Sequence, residues 1–205
     1  MTSETTTTEK NSFAPQEAPV QPGDQTPHSS QPRLANVVLY QPQIPQNTGN
    51  IGRSCVATNS KLWIVQPAAF QIDEKRVRRA GLDYWQHLDW EDVPNWETLR
   101  ERLPEQTPDR RYWYFSRFAE RTIWDCDFKP GEVFVFGSET SGLPRTIFQP
   151  GDENAIRLPT AVEVRSLNLS STVAIVLYET MRRKWLTSGI SIRDAVVRFH
   201  HDKPG

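Results

Sequence analysis

Short apolar runs that alternate with helical patterns are the feature that most constrains the fold of this chain. A continuously apolar strand is buried on both faces, which is typical of a parallel sheet covered by helices. The runs that predict strands are residues 36–40, 62–66, 112–116, 132–137 and 155–159. The segments that predict helices are residues 51–60, 73–81, 95–103, 168–186 and 191–199. The alternation predicts an α/β fold, with a parallel sheet flanked by helices.

The first 35 residues differ in composition from the rest of the 205-residue chain. They are rich in Thr, Gln, Pro and Ser, and Phe13 and Leu34 are almost the only large apolar side chains among them. Such a segment cannot bury enough apolar surface to offset the entropy of ordering it. We therefore predict a disordered tail over residues 1–35 and one folded domain over residues 36–205.

Composition also excludes several classes of protein. No run approaches the roughly 18 apolar residues of a transmembrane helix, and MTSETTTTEK lacks the basic and apolar regions of a secretory signal. Cys55, Cys126 and the four histidines show neither C-x-x-C nor H-E-x-x-H spacing. The net charge of -1 argues against a uniformly basic surface for nucleic acid, although local basic clusters remain. We expect a cytoplasmic protein with no membrane segment and no metal site.

The first of three unusual loops is PQNTGNIGR, which follows the first predicted strand. Asn47 or Thr48 is a candidate cap for the next helix, and Gly49 and Gly52 would let a ligand approach the backbone closely. Arg53 is then expected in the first helical turn, where a cation opposes the helix dipole. That placement favours a bound anion such as an RNA phosphate, although a solvated arginine fits equally well.

The second loop is FGSETSGLP, which follows the strand at 132–137. Gly137 and Gly142 have the spacing of a P-loop, but the Lys-Ser/Thr pair that would follow Gly142 is missing. The loop does not match G-x-G-x-x-G either. The sequence therefore supports neither an NTPase nor a dinucleotide-dependent dehydrogenase.

The third loop is LPTAVEVRSLNLS, which joins the last predicted strand to the long helix at 168–186. Asn168, Ser170 and Ser171 cluster where this helix begins. Helix capping accounts for one of these residues and leaves the rest of the polar run unexplained.

Together the three loops resemble the three signature motifs of the SPOUT superfamily of RNA methyltransferases: NTGNIGR, FGSETSGLP and IRLPTAVEVRSLNLS. Two more stretches, VVLYQPQIPQNTGN and DEKRVRRAGLDYW, are most similar to the tRNA (cytidine(34)-2'-O)-methyltransferases. The resemblance covers about residues 36 to 190. It implies a SPOUT-type fold with a C-terminal trefoil knot and a homodimer whose active sites use residues of both chains.

The resemblance also implies a reaction and its residues. The methyl group of S-adenosyl-L-methionine would pass to the ribose 2'-hydroxyl of the wobble nucleotide, a cytidine or a modified uridine, in the tRNA anticodon loop. The implied cofactor contacts are Phe115, Gly137, Leu158, Ser166 and Leu167. The implied catalytic residues are Arg53, Glu139, Ser166 and Asn168. A guanidinium stays protonated, so Arg53 is expected to pair with RNA phosphate rather than act as the base.

RNA contacts are expected from Asn47, which also shapes the first loop, and from the basic residues Arg53, Arg76 and Arg79. The last two belong to a dense basic cluster with Lys75 and Arg78. Two further groups have either an RNA-binding or a structural interpretation. They are the basic residues Arg182, Arg183 and Lys184 and the aromatic residues Tyr84, Trp85 and His87.

Two alternative functions remain at this stage. The first is a related 2'-O-methyltransferase that acts on ribosomal RNA or on another tRNA position. The second is a non-catalytic RNA-binding protein on the same fold, which would not need Arg53, Glu139, Ser166 and Asn168 together.

Overall fold

A seven-stranded parallel sheet forms the centre of the structure. The computed structural model describes residues 33–70, 83–104, 111–149 and 151–189. The predicted tail before residue 33 and the helices predicted at 73–81 and 191–199 lie outside the described residues. No helix within the described part of the chain is long and apolar enough to span a membrane.

The sheet has the strand order β3-β2-β1-β6-β4-β7-β5, and all six strand pairings are parallel. The strands are β1 Asn36–Tyr40, β2 Lys61–Val65, β3 Trp90–Val93, β4 Tyr112–Phe115, β5 Arg121–Thr122, β6 Val133–Phe136 and β7 Ala155–Arg157. The predicted parallel α/β fold is therefore confirmed. The sequence analysis missed β3 and β5, since WEDV is half polar and the two-residue strand is too short to show a period.

Within the described ranges, three α-helices connect or cover the strands: α1 Pro45–Ala57, α2 Trp96–Arg102 and α3 Leu169–Ser188. Two short 3₁₀ helices lie at Asp83–His87 and Ile123–Asp125. The predictions for α2 and α3 are confirmed within one or two residues. Side chains cap both helices: Asn95 accepts a hydrogen bond from the Thr98 amide, and Asn168 accepts one from the Ser170 amide.

The prediction for α1 is wrong at its start, because the helix begins at Pro45 rather than at residue 51. Proline is favoured in the first turn, where its fixed φ fits and its missing N–H is not needed. The N-cap position is held by Ile44, so neither Asn47 nor Thr48 caps the helix. Local propensity is poor across NTGN, and burial of the helix against the sheet compensates for it.

Alternate residues of the strands build two apolar layers. Val37 and Leu39 face the layer that packs under α1 and α3, and Val38 faces the layer under α2. Leu34 and Ala35 are also buried, and Leu34 hydrogen bonds through its backbone to Asn59 and Gly131. Leu34 and Ala35 therefore pack with the strands.

Glu132 is a buried carboxylate immediately before β6, with 1% of its surface exposed. It accepts hydrogen bonds from the Trp113 indole at 2.7 Å, the Lys129 amide at 3.0 Å and the Arg111 Nε at 3.2 Å. Buried charge is stable only when it is paired and hydrogen bonded. Glu132 therefore joins β4, β6 and the turn before β6.

We predict that Glu132→Ala lowers the free energy of unfolding by about 3 kcal/mol or more, because it leaves the Trp113 indole and the Arg111 guanidinium without their buried acceptor. Glu153→Ala, at an exposed carboxylate, should change it by less than about 0.5 kcal/mol. Urea unfolding of the two variants and the wild type measures the difference. Equal effects of the two substitutions would contradict this role for Glu132.

Candidate functional site

The three polar loops meet at one edge of the sheet. They follow β1, β6 and β7, and parallel strands bring their carboxyl ends to the same edge. Strands β1 and β6 are neighbours, and β4 separates β6 from β7. Ligands of open α/β sheets bind at this edge, so the topology places all three candidate motifs where a site is expected.

Glu139, in the loop after β6, holds the start of α1. Its carboxylate accepts hydrogen bonds from the Gln43 amide at 2.8 Å, the Ile44 amide at 3.2 Å and the Asn47 side chain at 3.0 Å. The first N–H groups of a helix lack partners within the helix and carry partial positive charge. Glu139 therefore supplies the negative group that the N-cap residue Ile44 does not.

Asn47 connects this carboxylate to the third loop. Its side chain donates to Glu139 and accepts a hydrogen bond from the side-chain nitrogen Nδ2 of Asn168 at 3.0 Å. Asn168 in turn accepts from the Ser170 amide at 2.8 Å and from its hydroxyl at 2.7 Å. This Glu139–Asn47–Asn168 chain joins segments that are 92 and 121 residues apart in the sequence.

A second link joins the first two loops. The side-chain oxygen of Gln43 accepts hydrogen bonds from the Thr140 hydroxyl at 2.7 Å and from the Thr140 amide at 3.3 Å. The sequence analysis did not single out Gln43. It lies within the VVLYQPQIPQNTGN stretch, two residues before Pro45, and that position was the signal that the sequence offered.

Gly137 is required by the shape of the second loop. A Cβ atom at this position would lie 2.0 Å from the carbonyl carbon of Gly142 and 2.2 Å from the Leu143 nitrogen. Gly142 itself has a φ of +70°, a backbone angle that residues with a side chain rarely adopt. The loop therefore closes on its own backbone, with the Ser138 and Ser141 hydroxyls 2.7 Å apart across it.

Arg53 lies in the third turn of α1, so the prediction that it occupies the first turn is wrong. A cation in the third turn does not oppose the helix dipole as a cation in the first turn would. Its exposed guanidinium lies 4.5 Å from the centre of the Tyr84 ring, and the Tyr84 hydroxyl donates to the Gly49 carbonyl at 2.7 Å. Tyr84 is the support that the structure shows for Arg53.

Gly52 accommodates another part of the chain rather than a ligand. A Cβ atom there would lie 3.0 Å from Leu88 and 3.1 Å from the Trp85 ring, so the expected ligand approach at Gly52 is wrong. The 3₁₀ helix at Asp83–His87 also shows which of the aromatic candidates are exposed. Tyr84 and Trp85 are buried in the core, and the His87 side chain is exposed.

The cofactor candidates Phe115, Gly137 and Leu158 lie at the ends of β4, β6 and β7, which are adjacent strands. Phe115 is level with Phe136 and Ile156 in the sheet, and its ring stacks on Phe136 at 4.4 Å. Ser166 and Leu167 follow in the exposed loop between β7 and α3. Apolar side chains beside strand-end backbone groups suit an adenosine-type ligand.

The candidate basic residues have different surroundings. Arg76 and Arg79 lie outside the described residues. Arg183 donates to the Cys126 carbonyl, to the Ile123 carbonyl at 3.1 Å and to Glu179 at 2.6 Å. Hydrogen bonding to Arg182 lowers the pKa of Glu179, although partial burial opposes that shift. Arg183 therefore anchors α3 to the segment that contains Ile123 and Cys126. Of the RNA-binding and structural interpretations, the structural one applies to this residue.

The two thiols are poor candidates for chemistry. Both are buried, and burial raises the pKa of the Cys55 and Cys126 thiols, which keeps them protonated at neutral pH. Within the described ranges, no group of three metal-binding side chains comes together.

Comparison with known proteins gives one consistent result. Residues 35–178 match the SpoU rRNA Methylase family. A protein of Burkholderia cenocepacia (strain HI2424) named tRNA (cytidine(34)-2'-O)-methyltransferase is 40% identical over 158 residues, which are 76% of this chain and 99% of that protein.

Solved structures agree with this result. One described as "Structural insights into the 2-OH methylation of C/U34 on tRNA" is 34% identical, with a TM-score of 0.68 over 77% of this chain and 99% of that chain. The SpoU methyltransferase AviRb from Streptomyces viridochromogenes in complex with AdoMet is 25% identical. Its TM-score is 0.62 over 78% of this chain and 62% of that chain.

We predict that Gly137→Ala disrupts the second loop and lowers the free energy of unfolding by more than about 2 kcal/mol, because backbone atoms must move to admit the methyl group. Gly151→Ala is the matched control, since a Cβ atom there meets nothing within 4 Å. Thermal and urea unfolding provide the measurement. A Gly137→Ala protein as stable as the control would show that the loop closes differently.

Proposed function

Because the chain belongs to the SpoU rRNA Methylase family, we propose that it is a tRNA (cytidine(34)-2'-O)-methyltransferase. It would move the methyl group of S-adenosyl-L-methionine to the ribose 2'-hydroxyl of the wobble nucleotide, a cytidine or a modified uridine. The name of the Burkholderia relative, which aligns over nearly its whole length, supports this substrate.

The observation that carries the proposal is the Glu139–Asn47–Asn168 chain at the carboxyl edge of the sheet. It fixes the three loops relative to one another before any substrate binds. Methyl transfer needs donor and acceptor in line, and holding both in place accounts for much of the rate in such reactions. A non-catalytic RNA-binding protein has no such requirement.

The residues proposed to hold S-adenosyl-L-methionine are Phe115, Gly137, Leu158, Ser166 and Leu167. When bound, the cofactor supplies an electrophilic methyl group on a sulfonium. Phe115 and Leu158 would provide apolar walls, and Gly137 would contribute backbone groups, since a side chain there is sterically excluded. Ser166 and Leu167 lie in the exposed loop that would cover the ligand.

Arg53 is proposed as the catalytic cation. A guanidinium stays protonated, so it would pair with an RNA phosphate and offset charge on the 2'-oxygen as its proton leaves. Tyr84 holds the guanidinium at the exposed surface of α1. Because the Arg53 side chain is exposed, an RNA backbone can reach it without rearrangement of the helix.

Glu139, Asn168, Ser166 and Asn47 complete the proposed site. Glu139 accepts three hydrogen bonds within the protein, which leaves one of about four acceptor positions of a carboxylate for substrate. Asn168 and Ser166 would position the acceptor ribose and the cofactor loop. Asn47 is 5% exposed with both ends of its amide engaged, so its contribution to RNA binding is to shape the loop.

The proposed active form is a homodimer. Helix α3 exposes the large apolar side chains of Ile175, Tyr178 and Leu186, and Tyr178 is 54% exposed. A second copy of the chain would cover this face and complete each site. The same proposal includes the trefoil knot of the SPOUT fold and a cytoplasmic location. It also includes binding of the tRNA anticodon loop, with contacts from Arg76 and Arg79.

The direct test is transfer of labelled methyl groups from S-adenosyl-L-methionine to unmodified tRNA transcripts and to tRNA from cells that lack the gene. The modified nucleotide is then mapped. Methylation of the ribose at position 34 supports the proposal. Methylation of ribosomal RNA or of another tRNA position would support the proposed reaction and show that the proposed substrate is wrong.

We predict that Arg53→Ala reduces methyl transfer by about 100-fold or more, the effect typical of losing one group that stabilises developing charge. Binding of S-adenosyl-L-methionine, measured by calorimetry, should be almost unchanged. Arg102→Ala is the control, because Arg102 is an exposed arginine on α2 that pairs with Glu91. Loss of cofactor binding together with transfer would show that Arg53 is structural.

We predict that Tyr178→Asp converts the dimer to monomers, because it places a charge in the apolar face that a second copy would bury. Sedimentation velocity measures the change. Trp124→Asp, at another exposed aromatic residue, should leave the dimer intact. A wild-type protein that sediments as a monomer would overturn the proposed assembly.

A further inference from the structure

An exposed aromatic ring with two arginines against it lies outside the site described above. Phe118 is 56% exposed. The Arg117 guanidinium lies 4.6 Å from the ring centre, and the Arg145 guanidinium lies 5.8 Å from it. Both distances are within the range of cation–π attraction. The three residues are called here the Phe118 cluster.

The cluster is built from two loops that are far apart in the sequence. Arg117 and Phe118 belong to the turn that follows β4, and Arg145 belongs to the segment that follows β6. Strands β4 and β6 are parallel neighbours, so both segments leave the sheet at its carboxyl edge. Phe118 lies three residues after the cofactor candidate Phe115. The cluster therefore lies at the same edge of the sheet as the proposed methyl-transfer site.

The turn that carries Phe118 is anchored to the sheet. The Ser116 amide donates to the Ile156 carbonyl at 3.0 Å, and the Ser116 hydroxyl accepts from the Phe118 amide at 3.2 Å. The Ala119 amide donates to the Ser116 carbonyl at 3.1 Å, and the Ala119 side chain is buried. The ring is thus held out in solvent by a turn whose two sides are fixed.

The segment that carries Arg145 is anchored as well. The amides of Ile147 and Phe148 donate to the Pro144 carbonyl at 3.0 and 3.4 Å. Phe148 is buried, and its ring stacks on Tyr114. The Gln149 side chain donates to the Arg145 carbonyl at 2.8 Å. Neither loop needs to reorganise to present the three side chains.

A lone exposed apolar side chain is ordinary and needs no explanation. The Phe118 cluster differs because two guanidiniums from separate loops converge on one exposed ring. Single-stranded RNA is recognised by stacking of its bases on aromatic rings or arginine planes, with cations paired to its phosphates. In residues 116–120 and 143–147 the only carboxylate is Glu120, against two arginines. The chemistry of the cluster thus matches an unpaired nucleotide.

We propose that Arg117, Phe118 and Arg145 form a binding subsite for a nucleotide adjacent to the methylated one. The base stacks on Phe118, and the two guanidiniums pair with the backbone phosphates. This subsite rests on the proposed function, because it takes an anticodon-loop RNA as the ligand. It would orient the loop on a chain whose proposed RNA contacts otherwise lie on other segments.

The test uses the full chain and a synthetic anticodon stem-loop in which 2-aminopurine replaces the base on one side of position 34 or the other. Stacking on an aromatic ring quenches the fluorescence of 2-aminopurine. Phe118→Leu keeps an apolar side chain and removes the ring, and Trp124→Leu is the matched control at a residue that is 64% exposed. We expect Phe118→Leu to weaken RNA binding by about tenfold and to abolish the quenching at one of the two positions, with the control unchanged.

The arginines are tested by the salt dependence of RNA affinity. Each phosphate contact to single-stranded nucleic acid contributes about 0.7 to the slope of log affinity against log salt concentration. Arg117→Gln and Arg145→Gln should each reduce that slope by about this amount. In steady-state kinetics, Phe118→Leu should raise the KM for RNA and leave kcat at saturating RNA unchanged, since stacking contributes to binding of the ground state.

The outcomes separate this subsite from the proposed function. If the wild type methylates position 34 and Phe118→Leu behaves like Trp124→Leu, the subsite is wrong and the function stands. If no tRNA is methylated but RNA binding still depends on Phe118, the proposed function fails. The cluster is then an RNA-stacking site with no methylated nucleotide beside it, and the subsite as proposed is wrong. Weaker S-adenosyl-L-methionine binding by Phe118→Leu, with RNA affinity intact, would make the ring part of the cofactor pocket and overturn the subsite. A wild type that does not bind the stem-loop overturns it as well.

Discussion

The carboxylate of Glu139 at the start of α1 is the interaction on which the arrangement of the site depends. Loops that follow different strands move independently unless something joins them, and each would lose conformational entropy separately when substrate binds. Glu139 joins the second loop to the first, and Asn47 extends the connection to Asn168 in the third. One partly buried carboxylate and two amides therefore make three segments a single preorganised surface.

Close packing at two glycines, Gly137 and Gly52, supports the arrangement of these loops. The second loop can place Glu139 correctly only because Gly137 lets its two sides touch. Helix α1 can approach the segment that contains Tyr84 only because Gly52 leaves room for Trp85 and Leu88. Gly52 and Gly137 are thus explained by packing of the chain against itself, and their functional effect is indirect.

The same edge of the sheet divides into regions of different chemistry. Apolar strand ends with Phe115 at their centre suit the proposed cofactor, and Arg53 is exposed farther along the adjoining helix, in the third turn of α1. The Phe118 cluster lies on the turn after β4, where it adds a cationic aromatic surface. RNA contacts can in this way be distributed over loops that the sheet already positions.

The sequence by itself determined the parallel α/β class, the five apolar strands, helices α2 and α3, and the three motifs with the family that they indicate. These features are local, since they depend on side-chain periodicity and on residue order within short segments. Only the tertiary structure decided where α1 begins, that Tyr84 supports Arg53, and that Glu139 contacts Asn47. The physical reason is that poor helix formers such as NTGN become helical through burial against the sheet. Contacts between segments about 100 residues apart leave no periodic signal in either segment.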